Sequence, residues 1–335
     1  MVTINCKNSV SLKDLIPSNI EEIKSLELTE TNALVDIKDL SKAKNLEYFA
    51  AKNYLMDYNS NKINLSPLIN LKYLKNISIE GWLNIDAKPL AEITTLQSLS
   101  ISHFPENIDQ ISVLPNLESL KLNGAKSDEL GFIKNIKSLK NLEIDGEIDS
   151  WISALSNLES LKLIDGEYTK ELEFINNIKS LKKLEIVGDI DPWNANLDIL
   201  NSLTNLRLLY WPIHELPKSL NLKYLENITL CKENEAEEEE WDISPLIDSP
   251  NLKNITLNLH GDEIMDFNPL TKLKNLIQLK LIGLQPHVRF EFMNNIENLK
   301  QIEIEFWDIS DIDEVENYNE LKDICGRKNI HFSET

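Results

Sequence analysis

Apolar residues recur along the chain in one short pattern, L-x-x-L-x-L, with Ile, Phe, Ala or Trp allowed at the apolar positions. The phrase NLESLKL at 116–122 carries it and returns letter for letter at 157–163. Further copies read IKSLEL (23–28), LKNISI (74–79), LQSLSI (96–101), LKNLEI (139–144) and LKKLEI (181–186). LENITL (225–230), LKNITL (252–257), LIQLKL (276–281) and LKQIEI (299–304) follow. Two copies are degenerate, LEYFAA at 46–51 and LRLLYW at 206–211. The thirteen copies start between Ile23 and Leu299, about 23 residues apart on average. Alternation of apolar and polar residues over x-x-L-x-L predicts a short strand with one buried face. The remaining residues of each unit, such as SDELGFIKNIKSL, must carry the chain back over the buried side, in helical turns. One unit cannot bury its own apolar face, so neighbours must share a core. Parallel strands joined by right-handed crossovers would then coil into a single arc.

NIKSLK also occurs twice, at 135–140 and 177–182. Residues 116–151 and 157–193 therefore form two copies of a two-repeat block, closing on GEIDSW and GDIDPW. A stack with nearest-neighbour contacts can gain such a block without disturbing the rest.

The repeated motif resembles the leucine-rich-repeat family over nearly the whole chain. Segments such as NLSPLINLKYLKNISI (64–79), DISPLIDSPNLKNITL (242–257) and DFNPLTKLKNLIQLKL (266–281) look like the bacterial internalin-type subclass, which pairs an "I-x-P-L" stretch with the next strand. The asparagine usual after the strand is missing; that place holds Trp82, Phe104, Ala125, Glu147, Gly166, Asp189 or Trp307. The resemblance implies an α/β fold: a right-handed leucine-rich-repeat solenoid, arc- or horseshoe-shaped, with a concave parallel β-sheet and a convex side of short helices and turns. It also implies binding of another macromolecule on the concave face.

The expected organisation is an N-terminal cap over residues 1–22, a repeat array over 23–309 and a C-terminal cap over 310–335. In the first cap VTINC reads as a strand and SLKDLI as a helical turn. In the last, SDIDEVENYNELKDICGRKN reads as a helix capped by Ser310 and stopped at Gly326, with NIHFS as a final strand. The two long units include NYLMDYNSNK and the acidic run CKENEAEEEEW, which reads as a solvated loop.

Charge changes the picture of what could bind. A net charge of −21 disfavours nucleic acid and anionic membrane surfaces, and favours a protein partner with a basic patch. The three cysteines, Cys6, Cys231 and Cys325, have no pairing logic and read as reduced thiols. The N-terminus has no apolar signal region and no run of 18 apolar residues occurs, so a cytoplasmic monomer is expected, with signal-less export as the alternative.

Little in the sequence points to catalysis. Of five histidines none lies in H-x-x-x-H or near a cysteine at ligand spacing, and phosphate-binding and nucleophile-elbow motifs are absent. No metal, cofactor or catalytic residue is expected. Cys325, the cysteine a repeat-bearing ligase would need, falls in the capping helix. The candidate site is instead the open sheet face. Lys121, Glu143, Lys162 and Glu185 stand between inward apolar residues with alternating signs, so neighbours can pair across the sheet. Tyr48 flanks that row, while Ile164, Val187, Leu208 and Tyr210 make an apolar island of the kind protein-binding faces use. Asp145, Asp165 and Asp189 form an acidic rim beyond the strands.

Overall fold

The computed structural model describes all residues except 8, 35, 54–62, 82–84, 103–104, 126, 147, 165–171, 189–197, 212–221, 233–239, 262, 265, 308–316 and 335. The chain divides into two compact units, Met1–Glu167 and Tyr168–Thr335.

The first unit is an eight-strand parallel ladder. Its strands are β1 (Val2–Asn5), β2 (Ser25–Thr29), β3 (Tyr48–Asn53), β4 (Asn76–Gly81), β5 (Ser98–Ser102), β6 (Ser119–Ala125), β7 (Asn141–Gly146) and β8 (Ser160–Ile164). Each pairs with the next in sequence order. The second unit repeats the plan with β9 (Lys183–Val187), β10 (Asn205–Trp211), β11 (Asn227–Lys232), β13 (Asn254–Asn258), β15 (Gln278–Leu284), β16 (Gln301–Phe306) and β17 (His331–Glu334). Between them two short strands, β12 (Glu240–Trp241) and β14 (Glu263–Ile264), pair with each other. Strands β2 to β11, β13, β15 and β16 carry the thirteen repeats; β1 and β17 add one ladder partner at each terminal end.

The three apolar residues of each phrase point to one side and are sealed there. Leu117, Leu120 and Leu122 are all buried, as are their counterparts Leu158, Leu161 and Leu163. Residues from the return path complete the core, among them Ile108, Ile111 and Leu114. That return path is built from 3₁₀ helices of three to nine residues, for example Lys38–Lys42, Ile108–Val113, Ser244–Asp248 and Asn268–Lys272. Between 11 and 20 residues separate the end of one strand from the first apolar residue of the next phrase. A 3₁₀ turn advances further per residue than an α-turn and puts a buried residue inward every third position, which suits so short a return.

An Asp or Asn two residues ahead starts several of these turns. The N–H of Lys38 donates to Asp36 Oδ1 at 2.9 Å, and the N–H of Lys88 to Asp86 Oδ1 at 3.0 Å. Asn64, Asp242 and Asp266 accept from Ser66, Ser244 and Asn268 in the same way. This Asx geometry, followed by Pro at the second helical place in four of the five, gives physical content to the "I-x-P-L" stretch.

A second column of side chains fastens repeat to repeat. The residue just before the first leucine of the phrase donates to a backbone carbonyl of the preceding repeat. Asn116 reaches Thr94 O at 2.9 Å, Asn157 reaches Lys137 O at 2.9 Å and Ser138 reaches Leu117 O at 2.7 Å. Asn251, Asn275 and Asn298 do so in the second unit. The duplicated NIKSL phrases even share their detail: Lys137 Nζ donates to Lys134 O and Lys179 Nζ to Asn176 O.

At the C-terminal end the single α-helix among the described residues, α1 (Tyr318–Lys328), buries Leu321, Ile324 and Cys325. Two details differ from the sequence expectation. Gly326 lies inside α1, and the helix stops at Asn329, which takes the left-handed conformation at φ 54° and carries the closing N–H. The residue preceding α1 is Asn317, without a side-chain cap, while Ser310 lies outside the described residues. Lys328 Nζ ties the helix down by donating to the carbonyls of Met293, Asn294 and Ile296.

Candidate functional site

Among the described residues no element packs over the sheet face opposite the 3₁₀ turns, and most residues between the buried leucines are half-buried there, while Ala50 and Ser78 are buried. In the first unit the central row runs Thr3, Glu27, Ala50, Ser78, Ser100, Lys121, Glu143, Lys162 in ladder register. Glu143 sits between two cations: Lys121 Nζ at 2.8 Å and Lys162 Nζ at 3.7 Å. The expected alternation of signs thus becomes a chain of ion pairs. Each such half-exposed pair contributes about 0.2–1 kcal/mol, enough to fix side chains rather than to hold the fold. Lys52 on β3 makes a second cluster, 2.8 Å from Glu27 and 3.7 Å from Glu80, and Glu80 also accepts from Ser78 Oγ at 2.9 Å. Tyr48 is half-buried on β3, in register with Asn76. Asp145 and Ile164, both half-buried, face each other across β7 and β8.

In the second unit the row runs Glu185, Arg207, Thr229, Thr256, Lys280, Glu303 and Ser333. Glu185 and Arg207 are 3.7 Å apart, and Lys280 Nζ hydrogen-bonds Glu303 Oε1. Asn227 and Asn254, each the first residue of an N-I-T triplet, are joined side chain to side chain on neighbouring strands. The next row along the strands holds Val187, Leu209, Cys231, Asn258 and Ile282 in register.

That register corrects one expectation. The apolar phrase on β10 is LTNLRL, 203–208, not LRLLYW, 206–211. Leu206 pairs with Ile228 and Leu208 with Leu230, and all four are in the core. Leu208 is 1% exposed and cannot take part in an open-face island. Trp211 does not hold the core leucine position either; Leu208 does, because the shorter spacing keeps its repeat in step with both neighbours. Arg207 takes the central row and Leu209 joins Val187 in the apolar row. Tyr210 belongs to the β10 backbone, but its side chain lies outside the described residues, as do Asp165 and Asp189.

A depression of about 420 Å³ opens on this face, lined by Arg207, Leu209, Thr229, Cys231, Thr256, Asn258, Lys280 and Ile282. One lining residue has a partner that sequence spacing conceals: Cys231 Sγ lies 3.4 Å from His260 Nε2, 29 residues away. His260 follows β13 at φ 48°, a left-handed conformation that costs a non-glycine residue roughly 1–2 kcal/mol. Gly261 at φ 91° continues the turn; a Cβ there would lie 2.8 Å from the Trp307 indole nitrogen. Gly261 is held further by its N–H to Gly283 O at 2.9 Å and by Gln285 Nε2 on its carbonyl. Trp307, 38% exposed, places its ring edge-on to the imidazole. Sequence signals for this turn existed in His-Gly and in Gly283, but pairing His260 with Cys231 needs the ladder register.

All three thiols are buried, Cys231 at 6% exposed where it lines the depression. Burial pushes the Cys6 thiol up to about 11 and raises Cys325 as well. Among the described residues no group of three or more His, Cys, Asp or Glu is arranged to hold a metal ion.

No protein-family model and no curated protein matches the chain. Solved structures do. An internalin, InlF of Listeria monocytogenes, is 20% identical with a TM-score of 0.56, over 96% of this chain and 89% of that one. A leucine-rich-repeat protein of Leptospira interrogans is 15% identical with a TM-score of 0.52, over 95% of this chain and 92% of the other. TLR13, solved in complex with the RNA ssRNA13, is 17% identical with a TM-score of 0.53; the match covers 88% of this chain and 48% of TLR13, about half its length. The repeated phrase, the in-register parallel ladder and these neighbours agree that the chain has the leucine-rich-repeat fold.

Proposed function

We propose that the chain is a non-enzymatic protein-binding module that holds its partner on the open sheet face. One observation carries the reading. The central row of that face presents charged side chains already ordered by cross-strand pairing, Lys121–Glu143–Lys162 in one unit and Glu185–Arg207 in the other. Ordered side chains lose little entropy on docking, so a face of this kind binds at low cost. Apolar contacts are available beside the row from Ile164, Val187 and Leu209. The partner is a protein with a basic patch: a net charge of −21 speeds its approach and opposes a nucleic acid, whatever TLR13 binds. Tyr48, Asp145 and Asp165 belong to the proposed surface of the first unit, and Asp189 and Tyr210 to that of the second; the compartment we propose is the cytoplasm. The role is that of an inhibitor, immunity or scaffold protein.

The test compares the wild type with two double variants in quantitative affinity capture. Lys162→Glu/Ile164→Arg alters the open face, and Lys134→Glu/Lys137→Glu alters the turn side. The expected result is a partner retained by the turn-side variant and weakened at least tenfold by the open-face variant. Equal recovery by all three chains would remove the open face as the site.

A further inference from the structure

Three thiols sit in this chain, and only one of them faces an imidazole among the described residues. Cys6 and Cys325 lie in apolar surroundings that raise their proton affinity. Cys231 borders the open depression, with His260 Nε2 3.4 Å from its sulfur. That distance suits a thiol donating to an imidazole nitrogen. The imidazole is delivered there by a strained left-handed residue, and the turn is locked by Gly261, Gly283 and Trp307. Backbone strain maintained by its surroundings tends to gather at sites of use. A second feature of the floor points to a ligand: Asn258, cross-strand neighbour of Cys231, has a buried Oδ1 with no hydrogen-bond donor among the described residues. The walls are polar, with Arg207, Thr229, Thr256 and Lys280.

We propose that Cys231 is a covalent modification site, a thiol activated by His260 that exchanges with small polar disulfides of the glutathione type. His260 Nε2 takes the proton from Sγ, and the thiolate attacks one sulfur of the small disulfide. A new bond forms from Cys231 Sγ to that sulfur while the original S–S bond breaks. The departing thiolate recovers the proton from the imidazolium and leaves as a thiol. Cys231 is oxidised to a mixed disulfide and half of the small molecule is reduced, so no further oxidant is needed. The depression has room for the attached group, and its polar walls with the free acceptor of Asn258 suit a peptide-like one. This site stands apart from the proposed protein-binding role and does not rely on it.

Oxidised glutathione is the probe, with intact-mass measurement and peptide mapping of the native chain. Cys231 should gain one glutathionyl group well before Cys6 or Cys325, and dithiothreitol should remove it. His260→Asn keeps a residue that tolerates the left-handed turn but removes the base, and should slow modification of Cys231 threefold or more. Circular dichroism of that variant establishes that the fold is retained, and the wild-type comparison of the three thiols needs no variant. Modification of Cys6 or Cys325 as fast as Cys231, or no modification of Cys231, would overturn the proposal. So would an unchanged Cys231 rate in His260→Asn.

Discussion

Leu208 and Arg207 show how much one residue's direction decides. They are adjacent, yet Leu208 is 1% exposed between Ile186 and Leu230 while Arg207 stands on the open face beside Glu185. Leu208→Ala should therefore cost about 2–5 kcal/mol, as a cavity in a close-packed core does. Arg207→Ala should stay within about 0.5 kcal/mol, the range of exposed substitutions. Urea denaturation of the two variants measures the difference, and similar midpoints would contradict the β10 register. The same pair shows what was legible in advance. Twelve phrases gave their own register because the leucine spacing was unambiguous. In NSLTNLRLLYW six large apolar residues crowd together and two frames fit the pattern, one of them only with Trp in the last place. Only hydrogen bonding to β9 and β11 chooses between them. The Cys231–His260 contact was hidden for a related reason: it joins different repeats, and periodicity within one repeat says nothing of it.

At the scale of the element, strands were easier to read than turns. Alternation over three leucines has one interpretation, whereas the return path admits an α-turn or a 3₁₀ turn with nearly the same apolar positions. The Asx geometry at Asp36, Asn64, Asp86, Asp242 and Asp266 favours a tight start. Its energetics leave a pH signature at Asp36. Accepting the Lys38 backbone N–H, and pairing with the Lys38 ammonium, holds this carboxyl below the usual carboxylate range. A carboxyl whose folded value is depressed stabilises the fold above its unfolded value, and that contribution is lost as pH falls through the folded one. Asp36→Asn keeps an acceptor but cannot titrate. The stability difference between wild type and Asp36→Asn should thus be constant near neutrality and shrink as the pH is lowered below about 4. Urea midpoints collected from pH 7 to pH 3 give the profile; a difference independent of pH would show that the charge on Asp36 contributes nothing to the turn. The column of Asn116, Asn157, Asn251, Asn275 and Asn298 carried a signal too, since each precedes the first leucine. Its meaning appears only when the carbonyl of the previous repeat is seen to lie within reach.

For the molecule as a whole, the duplicated phrase offers a direct trial of nearest-neighbour stability. NLESLKL at 116–122 and at 157–163 have identical sequences, so cutting out residues 116–156 joins Pro115 to an unchanged copy of what followed it. Asn157 would then stand where Asn116 stands, with Thr94 O in place of Lys137 O as its acceptor. Leu158, Leu161 and Leu163 would enter the core beside β5 exactly where Leu117, Leu120 and Leu122 do now. If each repeat answers only to its neighbours, the shortened chain should fold with the same far-ultraviolet signal per residue. Its urea dependence should fall roughly in proportion to the 41 residues removed of 335, because the slope follows the surface exposed on unfolding. A cut of residues 116–145 supplies the contrast. It joins Pro115 to Gly146 at the end of β7, sets two return paths in series with no leucine phrase between them, and should unfold or aggregate. Should the in-phase deletion fail as completely as the out-of-phase one, stability would have to reside in contacts longer than one repeat. The ladder of β5 to β8 shows no such contact among its described residues: every strand pairing there joins consecutive repeats.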